Sequence, residues 1–285
     1  MKNWFRPENL AEALEIRSRE TVVPMAGATD LYVRNRRGGG LPPQLDRPIL
    51  YIGHLEELRN IEVSEREIRL GAAVTYTDLM EHPEVPALLR SAAAELAAPA
   101  LRNVGTLGGN ICNASPAADA VCPLYALDAL CEVRSAGGSR ELPVEELITA
   151  PGRTVIRENE LLTCVRIPRR GEGVWFYKKV GTRRANALSK LSLAARATLV
   201  AGKLEEVAIA LGAVGPRVLR SKEIEGRMTG PLHALETQLQ DILASYRELV
   251  TPIDDQRSTA AYREEVAVNL VRQFITERLL ETVPV

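Results

Sequence analysis

The sequence of 285 residues lacks the patterns that usually mark a hydrolase or a metal-binding protein. Its three histidines, His54, His82 and His233, are scattered and suggest no Ser/His/Asp arrangement. The four cysteines stand at positions 112, 122, 131 and 164 and include no CxxC pair. Zinc and iron–sulfur sites use closely spaced thiolates. We therefore expect buried free thiols and no metal site.

Charge imbalance and long apolar runs are absent as well. The formal net charge is -1, which argues against a nucleic acid or an anionic membrane as partner. The apolar runs are short and broken by charges, so no segment is expected to span a bilayer. The N-terminal residues MKNWFRPENLAEAL contain an apolar patch too short for a secretory signal, and no small-residue cleavage site follows it. We expect a cytoplasmic protein.

Length and periodicity predict two α+β regions. In the first, apolar spacing predicts a helix over 7–18, a hairpin over 129–144 and a strand over 161–167. The segment PRRGEG at 168–173 is basic and glycine-rich, which is typical of a linker. Beyond it we expect three strands and then three closing helices. No internal repeat interrupts this order.

Two glycine-containing stretches are candidates for ligand binding. Val104 to Asp119 reads VGTLGGNICNASPAAD, and we interpret it as a loop whose small residues allow a backbone to lie close to a polar ligand. Ala26 to Leu31 reads AGATDL between a predicted strand and a predicted helix, where unpaired N–H groups can bind phosphate. Both compositions also occur in turns that bind nothing, so this alternative stays open on the residues alone.

Four motifs stand in order along the chain: MAGATDL at 25–31, TLGGNICNASPAAD at 106–119, LLTCVRIP at 161–168 and YKKVGTRR at 177–184. Together they resemble the FAD-binding subunit of the molybdenum hydroxylases, the xanthine dehydrogenase family. The resemblance implies an α+β fold: a two-part FAD-binding domain of the vanillyl-alcohol oxidase-like (PCMH) type over 1–168, then a smaller α+β C-terminal domain over 174–285. That second domain is expected to carry a three-stranded antiparallel sheet and helices.

The resemblance also implies which residues contact FAD. They are Pro24, Met25, Ala26, Gly27, Ala28, Thr29, Asp30, Leu31, Leu96, Thr106, Leu107, Gly108, Gly109, Asn110, Ser115, Asp119, Leu162 and Lys179. The first eight would wrap the ADP and pyrophosphate half, and 106–110 the diphosphate and ribityl portion. Asp119 would bond near the flavin or ribityl chain, Leu162 would pack on the isoalloxazine, and Lys179 would be a cation beside it.

The residues leave a second interpretation of Lys179 open, as a solvated charge among Lys178, Arg183 and Arg184. The resemblance implies that those three neighbours belong to a partner-binding surface. Two departures from the family pattern stand out: Leu96 replaces an aromatic residue, and Ala118 replaces a hydroxyl residue. The insert that carries an extra iron–sulfur cluster in some relatives is absent from the sequence.

The resemblance implies an oxidoreductase subunit with no catalytic residue of its own. It would take electrons from [2Fe–2S] clusters of a small partner subunit into FAD and pass them to NAD or another acceptor, while a large partner subunit holds molybdopterin. Two alternatives are a stand-alone FAD-dependent oxidoreductase of the same fold and a non-catalytic assembly subunit that has lost FAD. The assembly subunit without FAD is disfavoured because four residues expected to contact the cofactor are intact, namely Gly27, Gly108, Gly109 and Asn110.

Overall fold

The computed structural model describes residues 4–39, 41, 43–171, 173–183 and 186–281. Its strands are β1 Trp4–Phe5, β2 Val23–Met25, β3 Ile49–Tyr51, β4 Ile61–Val63, β5 Glu67–Gly71, β6 Leu130–Ser135, β7 Gly138–Pro143, β8 Ile148–Ala150, β9 Arg153–Thr154, β10 Leu161–Pro168, β11 Val174–Gly181, β12 Ser189–Val200, β13 Lys203–Gly212 and β14 Gly230–Pro231.

Its helices are α1 Leu10–Arg19, α2 Leu31–Arg34, α3 Tyr76–Glu81, α4 Ala87–Glu95, α5 Pro99–Arg102, α6 Leu107–Asn113, α7 Val121–Ala126, α8 Val144–Leu147, α9 Lys222–Met228, α10 Leu232–Leu249 and α11 Ala260–Gln273. A π-helix over Phe274–Leu280 follows α11. Within the described ranges, no helix is both long enough and apolar enough to cross a bilayer. Glu172 of the predicted linker and the predicted surface residue Arg184 lie outside the described residues.

The chain folds into two compact units, and each is built from separate stretches of sequence. The first unit comprises Met1–Glu84, Ala98–Ala114 and Ala129–Pro168. The second comprises Val85–Ala97, Ser115–Asp128 and Arg169–Val285. The domain limits expected at 168 and 174 stay a prediction.

The first unit contains a small parallel sheet, a five-stranded antiparallel sheet and a short strand pair. The parallel sheet has the order β1-β3-β2, and the larger one β4-β5-β10-β6-β7. Helix α1 contributes Leu10, Ala13 and Leu14 to a core with Leu50. The helix begins at Leu10, three residues after the predicted start, because the Asn9 side chain accepts the N–H of Glu12 and caps it.

The second unit is built on the antiparallel sheet β11-β12-β13-β14. The first three strands are long, and the two-residue β14 pairs with the start of β13. A three-stranded sheet was predicted from the sequence, so this fourth strand was missed. Its core joins the sheet to the long closing helices through residues such as Leu193, Ile209, Tyr246 and Phe274.

The stretch 104–119 differs from the predicted loop, because its central part is helix α6. The Thr106 hydroxyl accepts the N–H of Gly109 at 3.1 Å and caps the helix. A Cβ on Gly108 would lie 2.6 Å from the Ala72 carbonyl oxygen, so glycine allows the helix to pack against that backbone. The loop prediction was wrong because a turn-like composition was compatible with a short, tightly packed helix.

Candidate cofactor-binding site

Two adjoining pockets open in the first unit. The polar pocket has a volume of about 210 Å³ and is lined by all of Pro24–Leu31 together with Thr106, Gly109 and Asn110. The apolar pocket has a volume of about 250 Å³ and is lined mainly by aliphatic residues, among them Ile52 and Leu162. Pro24, Ala26, Gly109 and Cys112 line both, which places the two pockets side by side.

The turn between β2 and α2 presents backbone donors to the polar pocket. Its geometry is fixed by close packing, since a Cβ on Gly27 would lie 1.8 Å from the carbonyl oxygen of Val104. Ala28 follows with a positive φ of 56°, a left-handed conformation that non-glycine residues rarely adopt. The N–H groups of Gly27, Ala28 and Thr29 have no hydrogen-bond partner among the described residues. Consecutive free N–H groups of this kind can bind an anion.

The start of α6 contributes side chains rather than free N–H groups. The N–H of Leu107 donates to the Val74 carbonyl oxygen, and that of Gly108 to the Ala72 carbonyl oxygen. The N–H of Gly109 donates to the Thr106 hydroxyl. Asn110 Oδ1, in contrast, is buried and has no partner in the described part of the chain. A buried amide oxygen is normally satisfied, so its position in the polar pocket fits a ligand that donates a hydrogen bond.

Asn113 joins the two walls of the polar pocket. Its side-chain Nδ2 donates to Asp30 Oδ2 at 3.1 Å, and its carbonyl oxygen accepts from Arg34 at 2.9 Å. Arg34, Asn113 and Tyr76 line this pocket but were not predicted. The helix predicted after Leu31 already placed Arg34 one turn after Asp30. The spacing from Gly109 to Asn113 would have indicated Asn113 if that stretch had been predicted as a helix.

The apolar pocket contains one fixed guanidinium group. Arg17 donates to Glu160 O at 3.1 Å and to Val22 O at 2.6 Å, and burial lowers its pKa. Glu160 is bound through both carboxylate oxygens by Arg140, at 2.8 Å each, which lowers the pKa of Glu160 to about 2. An aliphatic pocket with a charged donor suits a flat heteroaromatic ring. No sequence motif pointed to Arg17.

Two further residues near the pockets have different roles. Cys112 is accessible from the cavity, yet desolvation raises the pKa of its thiol to about 12, so the thiol stays protonated at neutral pH. Leu107, predicted to contact FAD, is fully buried and lines neither pocket. The predicted residue Leu162, in contrast, lies in the wall of the apolar pocket.

The other predicted site residues, Leu96, Ser115, Asp119 and Lys179, belong to the second unit. The Lys179 ammonium group lies 2.6 Å from Asp119 Oδ2 and 3.0 Å from the Glu95 carbonyl oxygen. Its side chain is only 5% exposed, so it is not the solvated surface charge of the second interpretation. Burial raises the pKa of Asp119, although hydrogen bonds from Lys179 and Ser189 oppose the shift.

Leu96 and Ser115 occupy turns of the second unit. Leu96 ends α4, with its N–H donating to Ala93 O. The Ser115 hydroxyl accepts the N–H of Ala117 at 3.3 Å. Near the Lys179 pair, Tyr177 has a buried hydroxyl with no partner in the described residues, and burial raises its pKa well above the usual value.

Sequence comparison assigns the chain to a family. The family model described as "FAD binding domain in molybdopterin dehydrogenase" matches residues 1–170, and that of "CO dehydrogenase flavoprotein C-terminal domain" matches residues 175–278. The chain therefore belongs to the FAD-binding subunits of the molybdenum hydroxylases, a family of oxidoreductases. Its first part is an FAD-binding domain, as the sequence predicted.

Individual relatives align along nearly the whole chain. The xanthine dehydrogenase FAD-binding subunit of Escherichia coli O157:H7 is 29% identical, covering 96% of this chain and 95% of that protein. The glyceraldehyde dehydrogenase medium chain of Sulfolobus acidocaldarius is 29% identical, covering 96% and 97%. Reconstituted CO dehydrogenase from Oligotropha carboxidovorans contains a chain with the same fold, at a TM-score of 0.88 and 24% identity, covering 98% of each.

Proposed function

We propose that the first unit binds the adenosine diphosphate and ribityl portions of FAD along its two adjoining pockets. The polar pocket offers free N–H groups at Gly27, Ala28 and Thr29 for the diphosphate. Asn110 Oδ1 then accepts a hydrogen bond from a hydroxyl group of the cofactor. The single observation that carries this proposal is the continuity of a polar, anion-binding pocket with an aliphatic one, since FAD joins a diphosphate to flat rings.

In this arrangement the chain holds the cofactor and excludes water from part of it. Leu162 packs against the isoalloxazine, as the resemblance implies, and Arg17 donates to acceptor atoms at a ring edge. The Thr106 hydroxyl accepts the N–H of Gly109, which leaves its own O–H to donate to an oxygen of the diphosphate. Bound FAD supplies reversible electron-transfer chemistry, and the protein supplies binding and orientation.

The predicted contacts of Leu96, Ser115, Asp119 and Lys179 with FAD, and the roles of Leu107 and Gly108, stay a proposal from the resemblance. For Lys179 the structure adds one constraint, because its charge is paired with Asp119. Its influence on a nearby ring would therefore depend on the protonation of Asp119. A neutral Asp119 leaves a net positive group, and an ionised one leaves a dipole.

We infer that the chain is the electron-transfer subunit of a cytoplasmic, molybdopterin-dependent hydroxylase. It accepts electrons from [2Fe–2S] clusters of a small partner subunit and delivers them to NAD or another acceptor, while a large partner subunit holds molybdopterin. The names of its relatives, "medium chain" and "FAD-binding subunit", support a place within a multi-subunit complex.

Native purification tests this function. The chain is tagged, isolated from its own cells under low-salt conditions, and its partners are identified by mass spectrometry and metal analysis. We expect two co-purifying chains that carry molybdenum and iron, and we expect the flavin to be reduced when a substrate of the complex is added. An FAD-loaded chain that purifies alone and oxidises a substrate unaided would contradict the subunit role.

A further inference from the structure

The polar pocket contains a negative charge as well as a positive one, although a diphosphate is itself negative. Among the described residues that line it, Asp30 and Arg34 are the charged ones. The Asp30 carboxylate lies at the rim, where Oδ2 accepts from Asn113 Nδ2 at 3.1 Å. An ionised carboxylate repels a diphosphate at close range. The pocket therefore needs a positive group if it is to bind FAD tightly.

Arg34 is placed to supply that group. It follows Asp30 by one helical turn, and its backbone N–H donates to Asp30 O at 2.9 Å. One guanidinium nitrogen donates to the Asn113 carbonyl oxygen at 2.9 Å, which holds the side chain at the pocket. The remaining guanidinium N–H groups have no partner among the described residues. A guanidinium carries five N–H donors and can bind phosphate oxygens in pairs.

We propose that Arg34 binds the diphosphate of FAD and offsets the negative charge of Asp30. This inference rests on the proposed function and adds a residue outside the predicted cofactor-binding stretch Pro24–Leu31. In this arrangement the backbone N–H groups of the turn orient the diphosphate, and Arg34 provides the net charge. Asn113 is a positioning residue, because its carbonyl oxygen fixes the guanidinium without touching the cofactor.

The test uses the full-length chain freed of flavin and titrated with FAD, with quenching of flavin fluorescence as the readout at several salt concentrations. Arg34→Gln keeps a donor for Asn113 but removes the charge, and we expect about tenfold weaker binding because a charge-assisted bond to phosphate is lost. Its affinity should also depend less on salt than that of the unaltered chain. Arg34→Lys should retain most of the affinity.

The control Arg36→Gln separates electrostatics from folding, because it removes the same charge from an exposed residue that does not line the pocket. It should bind FAD normally. Asp30→Asn alters the binding pocket itself: it keeps an acceptor for Asn113 and removes the repulsion, so its affinity should be higher. Urea unfolding midpoints should agree among all four variants.

Two results would overturn the role of Arg34. One is unchanged FAD affinity in Arg34→Gln. The other is an equal loss of FAD affinity in Arg34→Gln and Arg34→Lys with unchanged salt dependence. That pattern would show that only the hydrogen bond between Arg34 and the Asn113 carbonyl oxygen matters. If the unaltered chain took up no FAD at all, the proposed function would fall and the inference with it. If the unaltered chain and Arg34→Gln bound FAD with the same affinity, the role of Arg34 would be refuted and the proposed function would stand.

Discussion

The ammonium group of Lys179 lies 2.6 Å from the carboxylate of Asp119, and both side chains are almost completely buried. Burial favours the neutral form of Asp119 and raises its pKa, while Lys179 and Ser189 stabilise the ionised form. The pair is thus held together against a desolvation penalty. Removing one partner would leave the other charge buried and uncompensated.

Lys179→Met should destabilise the second unit by about 3–5 kcal/mol, because it leaves the Asp119 carboxylate unpaired. The pKa of Asp119 is higher in the folded chain than in the unfolded chain, so folding favours the protonated carboxyl group. The free energy of unfolding of the variant should therefore fall as pH rises from the unfolded pKa to the folded pKa. Urea unfolding at acidic and neutral pH measures this. The exposed neighbour Lys178→Met is the matched control and should behave as the unaltered chain.

The double variant Asp119→Asn with Lys179→Met should recover part of that loss, since no buried charge remains. If Lys179→Met were as stable as Lys178→Met at neutral pH, the buried pair would not exist in solution.

Gly27→Ala should disrupt the turn of the polar pocket. The new Cβ would lie 1.8 Å from the Val104 carbonyl oxygen, so the backbone of one segment has to move. We expect a loss of about 1–3 kcal/mol in the free energy of unfolding and a lower FAD content. Thermal unfolding and flavin absorbance measure the two effects.

Gly39→Ala is the control for that substitution, because a Cβ there meets nothing within 4 Å. A Gly27→Ala chain with normal stability and normal FAD content would show that the close approach of Gly27 to Val104 is not needed.

Glu160→Gln should reduce the acid sensitivity of the first unit. The pKa of Glu160 is about 2 in the folded chain, against an ordinary value of 4.5. The ion pair with Arg140 therefore adds stability above about pH 4.5, and this is lost as pH falls towards about 2. We expect the variant to be about 2–3 kcal/mol less stable at neutral pH, with the difference shrinking in acid.

Glu158→Gln is the matched control, because Glu158 forms a surface pair with Arg47 and its side chain is 77% exposed. It should change stability by less than about 1 kcal/mol at any pH. Chemical unfolding of both variants at a series of pH values checks the prediction. An equal pH dependence in Glu160→Gln and the unaltered chain would contradict it.

Local signals in the sequence predicted much of the fold. The hairpin expected over 129–144 is confirmed as Leu130–Ser135 paired with Gly138–Pro143, because alternating apolar residues flank a glycine turn. The strand expected over 161–167 is confirmed as Leu161–Pro168. Such elements are specified by neighbours in the chain.

Features that depend on distant contacts could not be predicted in this way. Gly108 is required by the backbone of Ala72, which is far away in sequence, and the composition around it resembles a loop. Lys179 is buried because it pairs with Asp119, a partner 60 residues earlier. Arg17 reaches the apolar pocket from the first helix and carries no motif. Each of these placements is decided by tertiary packing.

The central claim is that the first unit binds FAD along its two adjoining pockets. An absorbance spectrum of the purified chain and of Gly109→Trp, followed by release and identification of the chromophore, tests it most directly. Gly109 lines both pockets, so an indole there should block the cofactor. Gly137→Trp, in the turn of a hairpin, is the control. We expect flavin bands and released FAD from the unaltered chain and the control, and none from Gly109→Trp. A colourless chain that takes up no added FAD, alone or with its partner subunits, would contradict the claim.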